Sequence, residues 1–318
     1  MKRVLLMLLA MGCCIGDVWA QGAKTTRRAP AKKTAAPAQP QKVKGCISRS
    51  PYIGAVILDA DSGAVLFEER ANVPGYPAST LKLMTLLVIQ EKIEAGQIRL
   101  DDQVKVSVEA YKTGGSQVYL DPKETFTVEE MLYAMIIQSA NDAAVALAEH
   151  VAGSKEAFLV LMNARAEALG MRDTRFASVH GLPPSAGQRH DVSTARDMAI
   201  LARELCRYPA IFAYTSATYR QLRANTPNPF DMRTHNPFLK EGVEGCDGFK
   251  TGYTATAGWS IVVTAKRNGR RVIVVVLGSE GRKQRDAEAR ALLNRAFTLL
   301  QPEGAPAQAV PHPASVAR

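Results

Sequence analysis

Ser79 and Lys82 stand three residues apart in Pro77-Ala78-Ser79-Thr80-Leu81-Lys82, directly ahead of the apolar run 83–93, which contains neither Gly nor Pro. That run reads as a buried helix. Residues i and i+3 share a helix face, so the Lys82 amine can sit beside the Ser79 hydroxyl. A serine hydroxyl is a weak nucleophile until a neighbouring base takes its proton. A lysine held among apolar side chains has its charged form disfavoured and can be that base. The pair alone does not establish this chemistry. Ser-x-x-Lys recurs by chance, and a helix-start serine near a surface lysine is spelled the same way. Two later triplets fit it. Ser139-Ala140-Asn141 places a hydroxyl and an amide where an apolar helical run breaks. Lys250-Thr251-Gly252 offers a cation and a hydroxyl to a carboxylate, next to a glycine that lets backbones approach closely.

The elements that must position these residues can be read from pattern. Residues 53–58 and 64–69 flank the turn 59–63 and predict a β-hairpin. Residues 71–76 form a loop into the Ser79 helix, which Gly96 stops; 100–108 read as extended and 113–116 as loop. Thr127-Val128-Glu129-Glu130 is a capping box opening a helix that runs to about Gln138. A second helix spans 142–152, a third starts at Gly153-Ser154 and ends near Gly170, and Ser193 caps another that runs to about Cys206. Residues 171–192 and 208–245 read as irregular. Strands follow at 248–254, 258–266 and 272–277, with Asn268-Gly269 as a two-residue hairpin signal. An amphipathic helix covers 283–300. The N-terminal hairpin, the C-terminal strands and the last helix could share one antiparallel sheet, with the middle helices inserted as a lobe. No internal repeat is visible.

The net charge of +10 is concentrated at one end: residues 1–44 hold nine Lys/Arg against Asp17, which leaves the rest of the chain near neutral. No basic stripe interleaved with aromatics is present, so the sequence gives nucleic-acid binding little support and no nucleic-acid partner is expected. Residues 1–20 read as a secretory signal, with Lys2 and Arg3 ahead of an apolar segment and cleavage expected after Ala20. Ala10-Met11-Gly12-Cys13 is a poorer, lipoprotein-type alternative. The apolar run is short of the ~20 residues that span a bilayer, so no transmembrane helix is expected in the mature chain. Residues 21–44, rich in Ala, Lys, Pro and Thr, predict a disordered basic linker, and 301–318 a disordered tail. Cys46, Cys206 and Cys246 remain after the signal; a Cys206–Cys246 disulfide and buried thiols are both open, and no metal spacing exists.

The ordered triplets resemble those of the low-molecular-weight penicillin-binding proteins, specifically the D-alanyl-D-alanine carboxypeptidases of the serine peptidase type. Further stretches resemble the same family: Asp59-Ala60-Asp61-Ser62-Gly63, Gln138-Ser139-Ala140-Asn141-Asp142-Ala143-Ala144, His180-Gly181-Leu182-Pro183, Asp247-Gly248-Phe249-Lys250-Thr251-Gly252-Tyr253 and Arg285-Asp286-Ala287-Glu288. The resemblance implies an α+β, β-lactamase/transpeptidase-like fold over residues 45–300: an antiparallel sheet flanked by helices with an inserted helical lobe. It implies removal of the terminal D-alanine from a peptidoglycan stem pentapeptide, without a cofactor, and inhibition by β-lactams. By the same resemblance Ser79 is the nucleophile and Lys82 its base. Ser139 relays a proton to the leaving amine, and Asn141 orients Lys82 and the substrate. The N–H groups of Ser79 and Tyr253 form the oxyanion hole. Lys250, Thr251 and Arg285 hold the terminal carboxylate, with Gly252 between them and the hole.

Three departures stand out. Ala140 replaces the Gly usual in the middle of the second triplet. Tyr253 follows Lys250-Thr251-Gly252 where His is common. The β-rich second domain and C-terminal membrane helix of many members are absent, so a soluble or wall-associated exported enzyme is expected. The rivals are a D,D-endopeptidase cutting cross-links, whose motifs are shared; a serine β-lactamase, which needs a water-activating acid that no motif supplies; and a catalytically weak wall-binding scaffold. A zinc peptidase is opposed by the scattered positions of His150, His180, His190, His235 and His312.

Overall fold

The computed structural model describes residues 47–300. The expected signal segment, basic linker and tail, together with Cys13 and Cys46, lie outside the described residues. Strands β1 (Gly54–Asp59) and β2 (Val65–Glu69) form the expected hairpin, and a one-turn 3-10 helix, Ala78–Leu81, leads into α1 (Lys82–Glu94). The lobe then comprises β3 (Gln103–Lys105), α2 (Val108–Lys112), β4 (Thr125–Thr127), α3 (Val128–Ile137), α4 (Asn141–Ala152), α5 (Lys155–Ala168) and α6 (Ala195–Leu205). Four short pieces follow: α7 (Phe212–Thr215), β5 (Tyr219–Leu222), β6 (Phe230–Arg233) and α8 (Pro237–Lys240). Strands β7 (Cys246–Thr254), β8 (Gly258–Arg267) and β9 (Arg270–Ser279) and helix α9 (Arg282–Leu299) close the chain. The main sheet is antiparallel, in the order β2-β1-β9-β8-β7.

Side-chain alternation explains why 272–277 carry no polar residue. Val272, Val274 and Val276 pack with Ala289, Leu292, Leu293 and Ala296 of α9, whereas Ile273, Val275 and Leu277 face the core shared with α1 and α6. A strand with both faces covered loses the apolar–polar alternation of a half-exposed one. The capping box at Thr127 is present: its Oγ1 accepts from Glu130 N at 3.1 Å, and Glu130 Oε2 accepts from Thr127 N at 2.8 Å.

Several local expectations need correction. Ser79 lies in the 3-10 turn before α1 rather than in the α-helix itself. Only 103–105 of the expected extended stretch is strand, and 108–112 is helix, capped by Ser107 Oγ accepting from Ala110 N. The helix attributed to Ser193 is capped by Thr194, whose side chain accepts from Asp197 N. Residues 208–245 contain a 3-10 turn at Pro209–Ile211, a hairpin and two one-turn helices, pieces too short for periodicity to show. Cys206 and Cys246 are free thiols. Burial pushes them up to about 12 and about 11, which makes them poor nucleophiles at neutral pH. Among the described residues no helix is long and apolar enough to cross a membrane.

Candidate active site

Ser79 is half-buried at the floor of a cleft of about 300 Å³, which Ser139, Thr251, Gly252, Tyr253 and Arg285 also line. Lys82 is wholly buried behind it. Its Nζ lies 3.1 Å from Ser79 Oγ, 2.6 Å from Asn141 Oδ1 and 2.7 Å from the His180 carbonyl oxygen. Burial, followed by the field of Lys250, holds the amine well below the usual lysine range; Asp191 and Asp142 act in the opposite direction.

The partners fix which way the protons point. Asn141 Nδ2 donates to the Gly114 carbonyl at 2.8 Å, so Asn141 Oδ1 is the atom turned to Lys82. That oxygen and the His180 carbonyl are pure acceptors. A neutral amine has two N–H donors and one lone pair. With both N–H groups committed to these oxygens, the lone pair is left for the third neighbour, the Ser79 hydroxyl. The arrangement therefore orients a neutral lysine as an acceptor for the serine proton.

Each partner is itself held. Asn141 opens α4, and its N–H donates to the Ser116 carbonyl at 2.8 Å. The buried Asp142 carboxylate accepts from Val118 N at 3.1 Å and Leu120 N at 3.2 Å, which ties the 116–120 loop to α4. Ser139 is buried in the α3–α4 joint at φ +62°, and Ala78, just before the nucleophile, has φ +48°. Non-glycine residues in this left-handed region cost on the order of 1–3 kcal/mol each and persist where surrounding structure imposes them. Ala140, by contrast, has φ −59°, so its place in the triplet needs no glycine.

The His180 carbonyl is positioned by a relay that starts at Asp191. The buried Asp191 carboxylate accepts from Ala177 N at 2.7 Å, Ser178 N at 2.8 Å and Ser178 Oγ at 2.6 Å. Ser178 Oγ in turn accepts from Gly181 N at 2.8 Å. Gly181 has φ +85°, and a Cβ there would run into the Ala78 carbonyl. The His180 imidazole takes no part in the bonds to Lys82; burial and the Lys82 charge push it down to about 3.

On the opposite wall β7 is the edge strand of the sheet. Lys250 is buried, donates to the Thr251 carbonyl at 3.2 Å, and is lowered to about 7 by burial and then by Arg285. Arg285 is buried as well. Its Nε donates to Asp286 Oδ1 at 2.8 Å, and its guanidinium lies 5.7 Å from the centre of the Trp259 ring. Tyr253 is half-exposed and stacks on Trp259 at 3.9 Å between ring centres. At Gly252 a Cβ would lie 3.1 Å from Ser79 N, so strand and serine turn touch through backbone.

The structure thus brings together all nine residues that sequence reasoning singled out: Ser79, Lys82, Ser139, Asn141, Lys250, Thr251, Gly252, Tyr253 and Arg285. It adds Ser116, His235, Lys240, Trp259 and Arg282 as lining residues. None of these had a spacing signal.

Comparison with known proteins finds a family model described as D-alanyl-D-alanine carboxypeptidase matching residues 50–281. The chain is 40% identical over 244 residues to the D-alanyl-D-alanine carboxypeptidase DacF of Bacillus subtilis, covering 77% of this chain and 61% of that protein. It is 35% identical over 289 residues to DacA of Escherichia coli, covering 88% of this chain and 70% of that protein. The chain therefore spans about three-fifths to seven-tenths of the length of these relatives. Among solved structures it resembles penicillin-binding protein D2 of Listeria monocytogenes in its ampicillin-bound form, with a TM-score of 0.68 at 29% identity, covering 77% of this chain and 96% of that one.

Proposed function

This chain belongs to the D-alanyl-D-alanine carboxypeptidase family, and from that premise we propose that it is a serine-type peptidase that removes the terminal D-alanine from peptidoglycan stem pentapeptides. The observation that carries the reading is the buried Lys82 amine 3.1 Å from Ser79 Oγ, with its other contacts filled by two pure acceptors. Ser79 Oγ attacks the carbonyl between the two D-alanines while Lys82 takes its proton. The oxyanion is met by the N–H groups of Ser79 and Tyr253. The C–N bond breaks as a proton passes, with Ser139 as relay, to the leaving amine. Water then cleaves the ester and restores the serine proton. Lys250, Thr251 and Arg285 hold the terminal carboxylate. β-Lactams, which present a strained carbonyl to the same cleft, acylate Ser79. The substrate lies outside the cytoplasmic membrane, in keeping with the signal-like residues 1–20.

The test is release of free D-alanine from a monomeric pentapeptide muropeptide. Wild type is expected to release it and Ser79→Ala is not. No release from either protein would overturn the reading.

The charges of the cleft also set a pH profile. Lys82 must be neutral to accept a proton, so kcat/KM rises as pH increases through its depressed pKa. Lys250 must be charged to hold a carboxylate, so kcat/KM falls as pH increases through about 7 in the free enzyme. Arg285 is one cause of that low value. Arg285→Gln is therefore expected to lower kcat/KM, by roughly 10- to 100-fold for a lost charge-assisted contact, and to move the alkaline limb to higher pH. An alkaline limb that stays in place or moves down would remove Lys250 as its origin.

A further inference from the structure

The cleft holds more positive charge than one carboxylate needs. Lys250, Thr251 and Arg285 suffice for the terminal carboxylate, yet Lys240, His235 and Arg282 line the same cleft, and no acidic side chain does. Lys240 ends α8, and Arg282 opens α9 one helical turn before Arg285. The two lie on separate elements, but both act on His235. Desolvation in the cleft wall, then Lys250, Lys240, Arg282 and Lys82, push that imidazole down to about 4, and so it is neutral at neutral pH.

Four arginines of β8, β9 and α9 are paired. Arg290 meets Glu241, Arg267 approaches Glu244 at 3.7 Å, Arg271 meets Asp247 at 2.7 Å and Arg285 meets Asp286. Lys240 and Arg282 are exposed, and among the described residues neither has an ion-pair partner. Two unpaired cations beside a neutral imidazole, in a concave site without acids, form a place for an anion. Because Arg282 lies one turn from Arg285 on α9, and His235 and Lys240 line the same cleft as Thr251 and Arg285, that place adjoins the terminal carboxylate. It therefore faces the leaving residue rather than the acylating one.

We propose that Lys240, His235 and Arg282 form a second carboxylate subsite on the leaving-group side, and that the preferred leaving group carries two carboxylates where D-alanine carries one. This rests on the carboxypeptidase reading and deepens it. The leaving amine would belong to a diacidic residue, or to an acceptor peptide that keeps a further free carboxylate.

The test compares two N-acylated peptides, one ending in D-Ala-D-Ala and one in D-Ala-D-Glu, that differ in the second carboxylate. Wild type is expected to show kcat/KM about tenfold higher for D-Ala-D-Glu, the scale of a charge-assisted contact to a positioned group. Lys240→Gln/Arg282→Gln is expected to bring the ratio to about one. Equal ratios in wild type and the double variant would overturn the subsite. A second measurement is independent of turnover: the His235 imidazole is titrated by NMR in Ser79→Ala, with each peptide bound. A nearby anion favours imidazolium, so D-Ala-D-Glu is expected to raise His235 from about 4 further than D-Ala-D-Ala does. Identical titration with both peptides would overturn the subsite even where neither is cleaved. Absence of D-alanine release from D-Ala-D-Ala would instead strike the carboxypeptidase reading.

Discussion

Lys82→Met is expected to lower both D-alanine release and acylation by a labelled penicillin by roughly 100- to 10,000-fold, the usual contribution of a positioned general base. Methionine fills a similar volume, so the wholly buried site stays packed. The Asn141 Oδ1 and His180 carbonyl acceptors lose a donor, which costs about 1–3 kcal/mol for each group left unsatisfied. Part of that is offset because an amine no longer has to be buried. The thermal midpoint should thus move by a few degrees while catalysis collapses. Lys82→Arg sharpens the test: arginine stays protonated and has no lone pair with which to take the serine proton, so it should fail equally. A loss of less than tenfold in Lys82→Met would place the base elsewhere and end the assignment.

Gly252→Ala is the second large effect. Here φ lies outside the left-handed region, so alanine can adopt the backbone, and the objection is purely one of space. The new methyl would sit 2.8 Å from the Pro77 carbonyl oxygen, 3.0 Å from Thr80 N and 3.1 Å from Ser79 N. All three are backbone atoms and cannot swing aside as a flexible side chain would. Strand β7 and the serine turn must separate by several tenths of an ångström at the spot where the oxyanion is to be held. A loss of about 100-fold in acylation is expected, in line with removal of one oxyanion donor. The β7–β8 ladder is untouched and alanine is no worse in a strand, so the melting temperature should change little. Wild-type acylation by this variant would mean that the close approach does not set the geometry of the hole.

Legibility followed the nature of each signal. Ser79 and Lys82 could be paired from sequence because helical spacing brings i and i+3 together, and this holds although the serine lies in a 3-10 turn. Ser139, Asn141 and Lys250 are 57 residues or more from Lys82 along the chain, and only a family resemblance linked them. The antiparallel sheet was readable because its strands are long, apolar or joined by Asn268-Gly269. The hairpin at 219–233 was not, since its strands are four residues each with a single buried residue apiece. The His180 carbonyl left no trace because any residue supplies one. What places it is the fold of the loop around Asp191 and Ser178. Lys240 ends a one-turn helix in a stretch read as irregular, and Arg282 stands one residue ahead of the expected amphipathic helix, so nothing in their spacing announced a shared wall.

The pairing of β1 with β9 joins Gly54–Asp59 to 272–277, segments more than 200 residues apart in sequence. Contacts this distant in sequence must await closure of a very long loop, which makes them slow and late in folding. Strand β7, which carries Lys250 against the serine turn, enters the sheet only through β8 and β9. A growing or newly threaded chain therefore holds Ser79 and Lys82 long before it holds the wall that completes the cleft. During that interval the nucleophile lacks the Tyr253 oxyanion donor and its carboxylate grip, so an unfinished chain neither cuts peptide nor traps drug. Truncation within β9 should leave a chain that penicillin does not label, however much of the helical lobe has formed.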